Sequence, residues 1–180
     1  NLGESSYQRG QPEEAIAVLS EAERISATLG DRILEAEILR GLAKAHLLQR
    51  DLAAARDHVE RSVGLFEQAR SKPFLGVALR TLAEVEAAAA AAGDDPRRAE
   101  EAYRQSLALF EELGNEVELA RTSESFAGFL AGLGDPARRE EAERLRERAL
   151  EVQGKQLASE TYALPPLDGE DTSPGTRVDP

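Results

Sequence analysis

A large residue followed by a small one recurs along this chain at a nearly constant interval. The pairs are Leu2-Gly3, Leu42-Ala43, Leu82-Ala83 and Phe126-Ala127, separated by steps of 40, 40 and 44 residues. A second series of small residues keeps the same beat: Ala15, Ala55, Ala99 and Ala142. A third lies seven residues further on: Ala22, Ser62, Ser106 and Ala149. Seven residues make two helical turns, so the last two series share one helix face. Small side chains there let a neighbouring helix approach closely. A period of this length means repeated units, none of which buries its apolar face alone. The chain must therefore stack unit upon unit rather than close around one core.

Turn signals divide each unit into two helices. Inside the units stand Arg9-Gly10-Gln11-Pro12, Gln49-Arg50-Asp51, Gly93-Asp94-Asp95-Pro96 and Gly134-Asp135-Pro136. Between units stand Leu29-Gly30-Asp31, Ser71-Lys72-Pro73 and Leu113-Gly114-Asn115. Gly ends a helix in the left-handed conformation, Asp or Asn caps the next, and Pro suits its first turn. The expected helices are a first one ending near Arg9, then 12–29, 31–49, 52–70, 73–92, 96–113, 115–133 and 136–157. Apolar residues recur at helical spacing within them, as in Ile33-Leu34, Ile38-Leu39, Leu42-Ala43 and His46-Leu47. The fold class is all-α.

Composition supports this and excludes much chemistry. Ala and Leu supply 30 and 24 of the 180 residues, while aromatics are 4% with no Trp, so the core is aliphatic and closely packed. Cys is absent, which removes disulfides, thiolate catalysis and Cys-based zinc sites. Two His residues, His46 and His58, leave little for a metal site, and no metal or cofactor is expected. The net charge of −12 repels a phosphate backbone, so nucleic acid is an unfavourable ligand. No apolar run approaches the roughly 20 residues of a membrane span. Lack of Cys fits a cytoplasmic location, and the Ala- and Arg-rich usage fits a bacterial genome.

The repeating residues resemble the tetratricopeptide repeat over roughly residues 1–152. The first unit matches best, through Leu2-Gly3, Tyr7, Gly10, Glu14-Ala15-Ile16 and Ala22. The second departs at its turn, where Arg50 stands in place of Gly, and the third carries an added helical turn, Ala87 to Ala92. Steps of 40 or more look like the longer-helix variant of large bacterial regulators and kinesin-light-chain-like adaptors. The resemblance implies four helical hairpins, 1–30, 31–71, 72–114 and 115–152, wound into a right-handed α-α superhelix. It also implies an inner groove, lined by the first helix of each hairpin, that takes peptides. Asn1 falls inside a helix and the chain has no Met. The expectation is therefore a piece of a larger regulatory protein, with a truncated N-terminal edge able to self-associate.

Transferred residue by residue, the groove positions are Glu4, Tyr7 and Gln8; Glu37, Arg40, Lys44, Leu47 and Leu48; Val77, Arg80, Glu84, Ala87 and Ala88; and Arg121, Glu124 and Gly128. Arg40, Lys44, Arg80 and Arg121 form a basic stripe suited to carboxylates of an acidic peptide. The plainer reading is solvated charge paired with Glu37, Glu84 and Glu124. The family's clamp for chaperone tails needs Asn where Glu4 and Gly41 stand, so that clamp is absent. His46 reads as a packed core residue and His58 as a His without His or Cys company. The adjacent carboxylates Glu13-Glu14, Glu111-Glu112 and Glu140-Glu141 diverge on a helix and cannot act as an acid–base pair. No catalytic motif is present, and an enzyme is not expected.

From 153 to 180 the helical period stops, and four Pro and three Gly favour an irregular tail. Within it Tyr162-Ala163-Leu164-Pro165-Pro166-Leu167 is apolar and stiff, followed by Asp168, Glu170 and Asp171. Tyr162, Leu164 and Leu167 are candidate ligands for a groove of this chain or a neighbour. The expected function is a non-catalytic module binding a protein or peptide within a signalling or regulatory protein. The alternative is a structural or self-associating segment packed on a preceding catalytic domain such as a kinase, ATPase or transcription regulator.

Overall fold

The computed structural model describes residues 12–162. The first expected helix and its Leu2-Gly3 pair lie outside these residues, as does everything after Tyr162. Seven helices follow in order among the described residues: α1 (Pro12–Leu29), α2 (Arg32–Leu48), α3 (Leu52–Gln68), α4 (Lys72–Ala91), α5 (Arg97–Leu113), α6 (Glu116–Gly132) and α7 (Pro136–Tyr162). The last runs past its expected end at 157 and so into the segment read from 153 as an irregular tail. Lys155, Gln156, Leu157, Ala158 and Glu160 are good helix formers, and their intrinsic preference extends α7 after the apolar period has ended.

The turns repeat one geometry. Helices α2, α3, α4 and α5 each end with a residue in the left-handed region: Arg50 at φ 62°, Arg70 at 53°, Gly93 at 115° and Gly114 at 62°. The next amide then reaches back five residues: Asp51 to His46, Ser71 to Phe66, Asp94 to Ala89 and Asn115 to Phe110, at 3.0 Å each. This closure satisfies carbonyls that a bare helix end leaves without partners. Arg50 therefore makes the same turn as the glycines, at a steric cost of about 1–2 kcal/mol. Asp31, Asp51, Asn115 and Asp135 cap the following helices through their side chains.

Packing follows the small positions. Ala15, Ala55, Ala99 and Ala142 are buried with no or almost no exposure. At the third series, Ser62 and Ser106 are fully buried and donate to Ala36 and Gly76 carbonyls at 2.8 and 2.7 Å. Each serine lies on the second helix of a hairpin and its acceptor on the first. Gly76 allows the closest approach: a Cβ there would lie 2.7 Å from the Phe110 ring.

Helices α2 and α3, α4 and α5, and α6 and α7 form antiparallel hairpins, and α1 packs on α2. Backbones also approach between α2 and α4 and between α4 and α6, but not between α3 and α5 or α5 and α7. The first helices of the hairpins thus lie on the tighter inner side of a helical solenoid. No described helix is long and apolar enough to cross a membrane.

Candidate functional site

The inner side carries the groove positions, and the structure sorts them into two groups. The basic group is largely engaged within the protein. Arg40 forms a two-pronged pair with Glu37 one turn away, at 3.2 and 3.0 Å. Arg80, half-buried on α4, reaches Glu118 of α6 at 2.6 Å and the Thr122 hydroxyl at 3.2 Å. Arg121 bonds the other Glu118 oxygen at 2.7 Å. The partners expected for Arg80 and Arg121 were Glu84 and Glu124. Glu118 takes both instead: it lies one turn before Arg121 on α6 and meets Arg80 from α4, and this second contact is one that sequence spacing on one helix does not reveal. Burial would raise the Glu118 carboxyl, but the Arg80 hydrogen bond and the nearby arginine charges hold it below its ordinary range. Lys44 is half-buried on α2. Tyr7, Glu4 and Gln8 lie outside the described residues.

The apolar group forms a pocket. Leu47 and Leu48 at the end of α2, Leu52 at the start of α3, and Ala88, Ala91 and Ala92 at the end of α4 line a cavity of about 630 Å³. Arg50 and Glu84 complete it. Four of the groove positions, Leu47, Leu48, Glu84 and Ala88, are thus brought together. The origin of the pocket is visible in the helix lengths. Helix α4 has 20 residues against 17 in α2, and the surplus is the alanine tract. Its last turn carries small side chains beyond the end of α2, leaving space beside Leu48, which is 53% exposed. Arg121, Glu124 and Gly128 are exposed on α6, away from this pocket.

Sequence reasoning missed a histidine pair. His58 is not without His company: its ring stacks on His46, with centroids 5.2 Å apart and planes 21° from parallel. Both Nδ1 atoms are buried with no hydrogen-bond partner among the described residues. The pKa of His58 is pushed down, first by burial and then by His46. The two residues are 12 apart in sequence and meet only through the fold of the hairpin. Among the described residues no group of three or more His, Cys, Asp or Glu gathers that could hold a metal ion.

Residues 1–68 match the family model described as tetratricopeptide repeat. Over that stretch the chain is similar to tetratricopeptide repeats. A solved structure described as a Podosopora anserina kinesin light chain with nearly identical tetratricopeptide-like repeats shares 20% identity with this chain. The match covers 86% of this chain and 93% of that one, with a TM-score of 0.53. A single-substitution variant of the same protein gives 19% identity, 87% and 93% coverage and a TM-score of 0.52. Both agree with a tetratricopeptide-like fold of long helices. No curated protein sequence matches the chain.

Proposed function

We propose that the inner face of this tetratricopeptide array binds a peptide or partner segment and anchors one apolar side chain in the pocket between α2, α3 and α4. Tetratricopeptide repeats generally serve protein–protein interaction and are typically non-catalytic. The observation that carries the proposal is the pocket itself: an apolar recess flanked by one cation and one anion, built by an extra helical turn at the groove. Such a recess buries a leucine-sized side chain while Arg50 and Glu84 orient the backbone around it. An acidic ligand finds fewer open cations than the sequence alone promised, since Glu118 already engages Arg80 and Arg121. Lack of Cys and the Ala- and Arg-rich usage support a cytoplasmic, bacterial setting, and the resemblance to long-helix repeats supports a part in regulation or signalling.

Selection of peptides from a displayed library against the full chain tests this. Recovered peptides should share an apolar residue and lose binding to the Ala88→Arg and Leu48→Asp variants. Recovery of binders indifferent to both substitutions would remove the pocket from the function.

A second reading has its own observation. Val18, Ile25 and Leu29 are 38%, 46% and 67% exposed on α1. This stripe favours packing of the array's N-terminal side on another domain or copy. Ile25→Lys should then abolish any such contact without touching peptide binding.

A further inference from the structure

The sequence itself holds a segment whose chemistry suits the pocket between α2, α3 and α4. We propose that the pocket takes the Leu164-Pro165-Pro166-Leu167 segment of a second copy of this chain. The inference rests on the reading of the pocket as a peptide anchor.

Three observations support it. The first is chemical fit. The segment offers two leucines on a proline-stiffened backbone, which loses little conformational freedom on binding. The pocket offers Leu47, Leu48, Leu52 and three alanines. The second is charge. Asp168, Glu170 and Asp171 follow Leu167 directly, and Arg50 stands at the pocket, in the left-handed turn between α2 and α3. Glu84 lines the recess as well, so the acidic flank is accommodated on the Arg50 side of the pocket, away from Glu84.

The third is reach. The pocket lies at the end of the array where α2 and α4 finish and α3 begins. Helix α7 starts at that same end, at Pro136, and runs away from it for 27 residues. At about 1.5 Å per residue it delivers Tyr162 roughly 40 Å from the pocket end. Leu164 to Leu167 lies at most five residues beyond Tyr162, a span of about 17 Å when fully extended. A chain therefore cannot place these leucines in its own pocket. A neighbour can, and the contact is then head-to-tail: one surface gives, a different surface receives. Such contacts do not close on themselves unless a ring forms, so association continues beyond a dimer as concentration rises.

Sedimentation velocity of the full chain over a wide concentration range tests this. The average mass should climb past that of a dimer. Ala88→Arg blocks the pocket and leaves the tail intact; Leu164→Asp with Leu167→Asp does the reverse. Each variant alone should associate at least about tenfold more weakly than the wild type. Mixed together they should form a one-to-one complex, since each supplies the surface the other lacks. Circular dichroism melts of both variants establish that they remain folded. A wild-type chain that stays monomeric throughout, or variants that associate as it does, would overturn the proposal. A synthetic peptide spanning 160–172 separates the two levels of inference. Binding of that peptide to the wild type but not to Ala88→Arg, without self-association of the chain, leaves the pocket reading standing and ends the head-to-tail one. No binding of the peptide ends the self-ligand proposal alone, since the library selection judges the pocket independently.

Discussion

The inner and outer sides of this array hold neighbouring repeats together by different means. On the inner side the backbones of α2, α4 and α6 come close, with the small buried residues Ala36, Ala43, Ala78 and Ala83 in the clusters that join them. On the outer side α3, α5 and α7 stand further apart, and long charged side chains bridge them. Arg61 reaches Glu23 at 2.8 Å, Arg98 reaches Glu60 at 3.4 Å and Arg138 reaches Glu100 at 2.9 Å. Each of these pairs spans 38 residues, one repeat. Arg104–Glu141 and Arg148–Glu111 add two more at 37. The difference follows from curvature. Where the solenoid is tight, van der Waals contact dominates and the half-buried Arg80–Glu118 pair adds to it between α4 and α6; where it is open, only Arg and Glu are long enough. Exposed ion pairs contribute little each, so the inner side should dominate stability while the outer side sets register.

The largest break expected on this view is Phe126→Ala. Phe126 is fully buried, stacks on Tyr103 at 4.9 Å and belongs to the main core cluster. Its loss should cost about 3–5 kcal/mol in chemical denaturation. Next comes overpacking of the small positions. Ala55→Leu intrudes on Ala43, Val59 and Val85, and Gly76→Ala drives a Cβ into Phe110. Each should cost about 1–3 kcal/mol, and unchanged melting would mean that the small residues do not set helix spacing.

A sharper test uses a pair with a buried member, between α3 and α4. Glu86 is 2% exposed and accepts both prongs of Arg56 at 2.8 Å. Glu86→Ala should cost about 1–3 kcal/mol, moderated because Asp94 still engages Arg56 at 2.9 Å. By contrast Glu60→Ala should change stability by less than about 1 kcal/mol, since both partners are half exposed. If the two substitutions proved equal, burial would not be what separates them.

The smallest expected effect depends on pH. Because the pKa of His58 is depressed in the folded protein, the unfolded chain takes up a proton there first as pH falls below about 6.5. Stability from this site is full above that pH and declines as pH drops through the lower folded-state value. His58→Gln should flatten the decline in thermal melts taken from about pH 7.5 to pH 5. An unaltered slope would assign the pH dependence to carboxylates instead.

Much of the fold was legible in the chain because its signals are local. Gly30, Gly93, Gly114 and Gly134 mark left-handed turns, Asp31, Asp51 and Asn115 mark caps, and the Ala series marks the packed faces. Arg50 and Arg70 were less legible, since nothing about arginine announces a positive φ; the closing hydrogen bonds of the turn impose it. The end of α7 was misjudged because apolar period and helix propensity part company after 153. Of the candidate site, the sequence placed Leu47 and Glu84 on the inner side but did not show that they share a pocket.

By itself, then, the sequence determined the repeat, its hairpins and the surface each helix buries, because those depend on spacing within one helix and on turn residues. The tertiary structure decided which charges are spent on one another, how His46 meets His58, and where the inner face opens into a pocket. The relations that cross from helix to helix, such as His46–His58 at 12 residues and Arg80–Thr122 at 42, have a geometry that exists only once the helices have packed.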